Sequence, residues 1–234
     1  MISIIIPTLN EENYLPKLLQ SIKQQVFKEK YEVIVADGKS RDSTRSIAKK
    51  FGCRIVKGGK QSVGINNAAK AAKGHFLLIL DADAIMPTEF LMQNLNDFRK
   101  RKLDAASCYI DSIGGNAVDK IMHATANIYY FLFKGIKPYV PSFCFFIKKK
   151  FFLEIGGFDE NVPWLIDLAF SNSLPKKTKY GMLPVRINLS LRMAERLGRF
   201  GQARLMFLAA FLRTIGKNYY GEYKWKGKPL ERIV

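Results

Sequence analysis

Two carboxylates separated by one alanine, Asp81-Ala82-Asp83, directly follow the apolar run Phe76-Leu77-Leu78-Ile79-Leu80. Acids held that close repel unless a cation or a proton shares their site. Mg²⁺ is usually held by one or two carboxylates together with substrate phosphate oxygens. The spacing therefore points to a metal-bridged diphosphate; the alternative is an acidic turn in which Asp83 caps the next helix. Asp37 closes another apolar run and suits a base or ribose proton, or else a turn before Gly38. Asp159, after Gly156-Gly157, reads as a helix cap. Asp167 lies in Trp164-Leu165-Ile166-Asp167-Leu168-Ala169-Phe170. Its apolar neighbours predict a half-buried carboxyl of raised pKa, either a base or a structural cap.

The elements around these acids alternate. Ile2–Ile6, Glu32–Ala36, Arg54–Val56 and Phe76–Leu80 read as strands. Between them lie helical patterns: Leu15, Leu18, Leu19 and Ile22 on one face, then Ile47 and Phe51, then Ile65, Ala68, Ala69 and Ala72. A further helix runs from Pro87 through Phe98, with strands at Ala105–Ile110 and Phe143–Ile147. Strand and helix in turn predict a doubly wound α/β sheet. Such sheets bind ligands beyond the carboxyl ends of their strands, where Asp37, Asp81 and Asp83 fall.

Composition narrows the chemistry. In 234 residues, 38 Lys and Arg face 20 Asp and Glu, a formal net charge of +18, so anionic partners are expected. Only His75 and His123 are present, which disfavours a histidine-based hydrolytic triad or a multi-histidine metal site. Cys53, Cys108 and Cys144 form no metal motif or disulfide framework, so a reducing compartment is expected. Met1 leads straight into Ser3-Ile4-Ile5-Ile6-Pro7, without the basic and apolar regions of a signal peptide. No apolar run is long enough to span a bilayer.

Four stretches, in order, carry a family resemblance. Ser3-Ile4-Ile5-Ile6-Pro7-Thr8-Leu9-Asn10-Glu11 resembles the opening of the family 2 glycosyltransferases of GT-A fold. Glu32-Val33-Ile34-Val35-Ala36-Asp37-Gly38-Lys39-Ser40-Arg41-Asp42-Ser43-Thr44 is similar to the second signature, with Lys39 and Arg41 where small or polar residues are commoner. Gly64 to Gly74 with Leu80-Asp81-Ala82-Asp83 resembles the third, and Gly156-Gly157-Phe158-Asp159-Glu160 the fourth. The resemblance covers roughly the first 170 residues and implies a mostly parallel GT-A sheet that binds a UDP- or GDP-sugar. It implies that Pro7, Thr8, Asn10, Glu11, Asp37, Asn67 and Asp81 hold the nucleotide, and that Asp83, with Asp81, coordinates Mg²⁺ or Mn²⁺. It implies an inverting displacement with Asp167 as base, although Ile166 replaces the acid that normally precedes it. The Gln-x-x-Arg-Trp motif of processive synthases is missing, so transfer of one sugar is expected.

From Lys176 onward, 14 basic residues face 3 acidic ones. Apolar and basic residues alternate there at helical spacing, notably between Arg199 and Arg213. The reading is a catalytic domain over 1–175, with donor residues mainly in 1–110 and an acceptor side in 111–175. A basic, partly helical extension over 176–234 completes it. The aromatics Tyr129, Tyr130, Phe131 and Phe133 and the extension suit a glycan or lipid-linked acceptor such as a polyprenyl phosphate. They also suit an anionic membrane surface, which sets a cytoplasmic protein peripheral to the inner face of the cell membrane. The aromatic stretch has a plainer reading as an amphipathic core helix. Nucleic acid is not expected, because the basic residues gather in the tail without a recognition motif. A nucleotidyltransferase would need a glycine-rich phosphate loop in place of Pro7-Thr8-Leu9-Asn10-Glu11. A catalytically weak nucleotide-sugar-binding relative is the other alternative.

Overall fold

The computed structural model describes residues 1–135 and 138–217, and the backbone of an antiparallel pair, Lys224–Trp225 with Lys228–Pro229. Four strands build the donor half: β1 (Ile2–Thr8), β2 (Tyr31–Asp37), β3 (Arg54–Lys57) and β4 (Phe76–Leu80). They are parallel, in the order β3-β2-β1-β4, with Thr8 level with Asp37. Helices α1 (Leu15–Lys23), α2 (Thr44–Lys50) and α3 (Gln61–Ala71) connect them. The short β5 (Ala84–Ile85) and α4 (Phe90–Lys100) then lead to β6 (Ala105–Ser112) and α5 (Ala117–Phe133). β7 (Cys144–Lys148), α6 (Lys149–Glu154), α7 (Ile166–Ser173), β8 (Tyr180–Leu189) and α8 (Arg192–Thr214) follow. The full sheet is β3-β2-β1-β4-β7-β6-β8-β5, mixed but mostly parallel, with β7 antiparallel to both neighbours.

The uninterrupted apolar runs are explained by burial on both faces. Ile4, Ile6, Leu78, Leu80 and Phe146 pack beneath α1 and α4, against Leu15, Leu18, Phe90 and Phe98. Ile5, Leu77, Ile79, Phe145 and Ile147 pack on the other side, against Ile65, Ala68, Phe152, Phe158 and Phe170.

The basic extension expected to be partly helical holds a strand as well as a helix. Residues 180–189, beyond the boundary expected at 175, form β8 in the main sheet, parallel to β6 and antiparallel to β5. Pro184 concealed it: a proline cannot donate to the ladder and argues against a central strand. The β6–β8 register slips there, between the Cys108–Leu183 and Ile110–Ile187 pairs. Asn94, fully buried on α4, repairs the gap. Its amide nitrogen donates to the Val185 carbonyl (3.0 Å), and its carbonyl accepts from the Val185 nitrogen (2.9 Å). The rest of the described extension is helical, as α8. The expectations for Lys226, Arg232 and the other residues past 217, the side chains of Lys224 and Lys228 included, fall outside what is described.

Candidate functional site

Thr8, Asp37 and Asp81 stand at the carboxyl ends of β1, β2 and β4 or one residue beyond. The loop after β1 is laced to the loop after β2. Asn10, at φ 56°, donates its backbone nitrogen to Ser40 Oγ (2.9 Å) and accepts from the Arg41 nitrogen (2.9 Å). Asparagine tolerates that left-handed backbone better than most residues. The Glu11 nitrogen donates to Thr44 Oγ1 (2.7 Å). Asp37 is held by the Ser40 nitrogen (3.2 Å), Thr8 Oγ1 (3.4 Å) and the Arg45 guanidinium (3.7 Å).

A cavity of about 410 Å³ opens over these strand ends. Pro7, Thr8, Glu11 and Asp81 line it, with Lys60, Gln61, Arg192 and the segment Val162 to Ile166. Gln61 Nε2 donates to Asp81 Oδ1 (3.1 Å). Asp83 stands beside the cavity, its Oδ2 accepting from Ser190 Oγ (2.6 Å) and facing Arg192 Nε (3.3 Å). Arg192 Nη1 also reaches both Glu11 oxygens (2.7 and 2.8 Å). Two carboxylates, Glu11 and Asp83, thus share one guanidinium, with Asp81 close by. Burial first, and then the Asp83 charge, push the Asp81 carboxyl up to about 7. Burial raises Glu11 as well, against the pull of Arg192. Among the described residues no three His, Cys, Asp or Glu side chains are grouped to hold a metal by themselves. Asp81, its carboxyl raised by burial and by the Asp83 charge, faces room for phosphate oxygens, surroundings of the kind in which Mg²⁺ is held by one or two carboxylates.

Asp167 lies on α7, directly after Leu165 and Ile166, which line the cavity. Its carboxylate accepts from the Tyr139 hydroxyl and from the Leu168 nitrogen (2.9 Å). Burial raises its pKa, while the Tyr139 hydrogen bond pulls it down.

Asn67 is not among the residues lining this cavity; its amide donates to the Lys57 carbonyl (3.0 Å). Its neighbour Asn66 is the buried one. Asn66 donates to the Phe158 carbonyl (2.8 Å) and to Glu160 (2.9 Å), and accepts from the Phe158 nitrogen (2.9 Å). This bracket explains Gly157: at φ 70° a side chain is strained, and a Cβ would lie 2.5 Å from Asn66 Oδ1. Asp159 caps no helix; it holds a turn through the Asn161 nitrogen (2.9 Å). Sequence reasoning missed Tyr139, Ser190 and the role of Arg192, which carries no local signal among the basic residues of the tail.

The model of the glycosyl transferase family 2 matches residues 3–156. A dolichyl N-acetyl-alpha-D-glucosaminyl phosphate 3-beta-D-2,3-diacetamido-2,3-dideoxy-beta-D-glucuronosyltransferase of Methanococcus voltae is 34% identical over 135 residues, 53% of this chain and 41% of that protein. A poly(ribitol-phosphate) beta-glucosyltransferase of Bacillus spizizenii is 32% identical over 136 residues, 54% of this chain and 22% of that protein. The chain thus spans less than half the length of either curated relative. Among solved structures, S. aureus TarS 1-349 in complex with UDP-GlcNAc superposes with a TM-score of 0.66 at 21% identity, over 81% of this chain and 58% of that one. The mannosyltransferase PcManGT from Pyrobaculum calidifontis, in complex with GDP-Man and Mn²⁺, gives 0.66 at 19% identity, over 88% and 64%. At these identities the superpositions speak for the fold.

Proposed function

The chain belongs to glycosyl transferase family 2, and from that premise we propose that it transfers one sugar from a nucleoside-diphosphate sugar to a glycan or lipid-linked acceptor, with inversion. The observation that carries this reading is the cavity over the β1, β2 and β4 ends, where Asp81 meets Thr8, Glu11 and Arg192. Thr8 and Asp37 suit the base and ribose, and Asp81 and Asp83 the diphosphate end. Asp81 and Asp83 would hold the divalent ion, which supplies charge neutralisation for the departing diphosphate.

Asp167 is the proposed base. Its carboxylate takes the proton of the acceptor hydroxyl while that oxygen bonds to the anomeric carbon. The bond from that carbon to the diphosphate oxygen breaks, and its electron pair leaves with the nucleoside diphosphate. A raised carboxyl pKa makes a stronger base near neutrality, and the burial of Asp167 acts in that direction.

No helix among the described residues is long and apolar enough to cross a membrane. A peripheral site of action rests on α8, where exposed Phe200, Phe207 and Phe211 stand beside exposed Arg204.

A thermal-shift panel of UDP- and GDP-sugars with Mg²⁺ or Mn²⁺ tests the reading. A true donor raises the Tm progressively with its concentration, and Asp83→Ala removes the metal-dependent part. A flat response to every nucleotide sugar, with and without metal, refutes it.

A further inference from the structure

We propose that the cavity between β6, β8 and α5 binds a small hydroxylated organic anion, a sugar acid or sugar phosphate, at a site separate from the donor cavity. The assignment does not depend on the transferase reading above.

The cavity measures about 520 Å³. At roughly 30 Å³ for each water of the liquid, that is room for far more than a bare ion. It shares no lining residue with the donor cavity. Asp111 and Ser112 come from β6, Arg186 and Asn188 from β8, and Lys120 and His123 from α5. Asp111 is level with Asn188 in the parallel β6–β8 ladder, so the two strands bring these side chains to one place.

Two groups in this lining lack partners. His123 is 8% exposed, and its buried Nδ1 has no hydrogen-bond partner among the described residues. The buried Ser112 Oγ is in the same condition. Buried polar atoms are nearly always bonded, so both are available to an occupant of the cavity. Burial first, against the charges of Asp111 and Asp119, lowers the His123 pKa. The ring is therefore neutral near pH 7, and one of its nitrogens accepts while the other donates.

The arrangement is set by the fold. Pairing of β6 with β7 ends at Ser107. Beyond it Asn127 of α5 takes over, donating to the Ile110 carbonyl (2.8 Å) and accepting from the Ile110 nitrogen (2.9 Å). His123 stands one turn earlier on the same side of α5. A site held in place in this way loses little freedom when a ligand binds.

Charge decides the class of ligand. Lys120 and Arg186 are exposed at the cavity, and no ion pair among the described residues engages either. Cations bordering a recess concentrate anions there. Asp111 opposes a bare anion, but its carboxylate accepts from hydroxyl groups. An inorganic ion leaves Asp111, Ser112 and His123 unused, and a neutral sugar leaves both cations unused. A molecule with an oxyanion at one end and hydroxyl groups along its length uses all of them.

Calorimetry on the full chain without divalent metal tests this, with glucuronate, galacturonate, glucose 6-phosphate, glucose and inorganic phosphate as probes. At least one of the three sugar anions binds, and glucose and inorganic phosphate bind at least tenfold more weakly than it does. The tighter of carboxylate and phosphate identifies the anionic group. Arg186→Gln and Lys120→Gln, both at exposed positions, together bring the sugar anion down to the affinity of glucose. His75 and His123 are the only histidines, so His123→Gln assigns the imidazole nitrogen NMR signals. The sugar anion shifts those of His123 and leaves those of His75 in place. Binding by none of the three sugar anions means that water alone fills the cavity and overturns the proposal. Binding that leaves the His123 signals unmoved overturns the site. Glucose binding as tightly as the sugar anions overturns the role of Lys120 and Arg186, and inorganic phosphate binding as tightly overturns the hydroxylated class.

Discussion

Arg192 and Glu11, 181 positions apart in sequence, are joined by two hydrogen bonds of 2.7 and 2.8 Å inside the candidate donor site. The same guanidinium faces Asp83 at 3.3 Å and lies over the Tyr14 ring, 5.0 Å from its centroid. The first residue of α8 therefore neutralises acids contributed by the first loop and by the turn after β4.

Removing this cation leaves Glu11 and Asp83 largely buried without it. Breaking such a pair from one side costs about 3–5 kcal/mol when burial is complete, and the slight exposure here brings the expectation for Arg192→Gln to about 3 kcal/mol. Urea unfolding measures it. A double-mutant cycle with Glu11→Gln recovers part of the loss, because the neutral partner no longer needs the guanidinium. A cycle with zero coupling contradicts the assignment.

Asp167→Asn is expected to lower turnover by about 10²–10⁴-fold, the usual contribution of a general base, and to leave donor affinity intact by calorimetry. Tyr139→Phe removes the hydroxyl that pulls the Asp167 pKa down. The acid limb of the rate profile then moves to higher pH. Normal turnover in Asp167→Asn excludes it as base.

Acid titration reads a second contact. Arg199 donates to both Asp119 oxygens (2.8 and 2.9 Å) and, with the Asn116 nitrogen, holds that carboxyl down at about 2. A carboxyl whose pKa is depressed by folding stabilises the fold above its unfolded value of about 4. That contribution is lost as the pH falls from there through about 2. Asp119→Asn is expected to flatten the stability curve across this window in thermal melts. An unchanged slope means that Asp119 has the same pKa folded and unfolded.

Asn94→Ala strips both backbone partners from Val185 at the register slip. The contact is part-buried, and a typical hydrogen bond contributes about 0.5–1.5 kcal/mol, so a loss of about 2 kcal/mol for the two is expected in urea. A loss under about 0.5 kcal/mol means that water or a shifted β8 replaces the amide.

What could be read in advance follows from the range of the forces involved. Strands β1, β2 and β4 were legible because burial on both faces writes an unbroken apolar run into the sequence, and Asp37 and Asp81 follow from where those runs stop. β8 was hidden because Pro184 speaks against a strand and its remedy, Asn94, lies 91 positions away from Val185. Asn66 and Asn67 were indistinguishable in sequence. One residue turns a helix by roughly 100°, enough to send one amide to Phe158 and the other to Lys57. Tyr139 and Arg192 meet Asp167 and Glu11 only through tertiary folding, so no local spacing announces them.

The long reach of Arg192 also dates the site within the life of the chain. Domains generally fold from the amino end as synthesis proceeds. The portion matched by the family model, residues 3–156, contains Glu11, Asp81 and Asp83 but not their cation. In a nascent chain the contacts of Arg192 with Glu11 and Asp83 wait until α8 has been made. Completing these contacts is therefore a late event in biosynthesis.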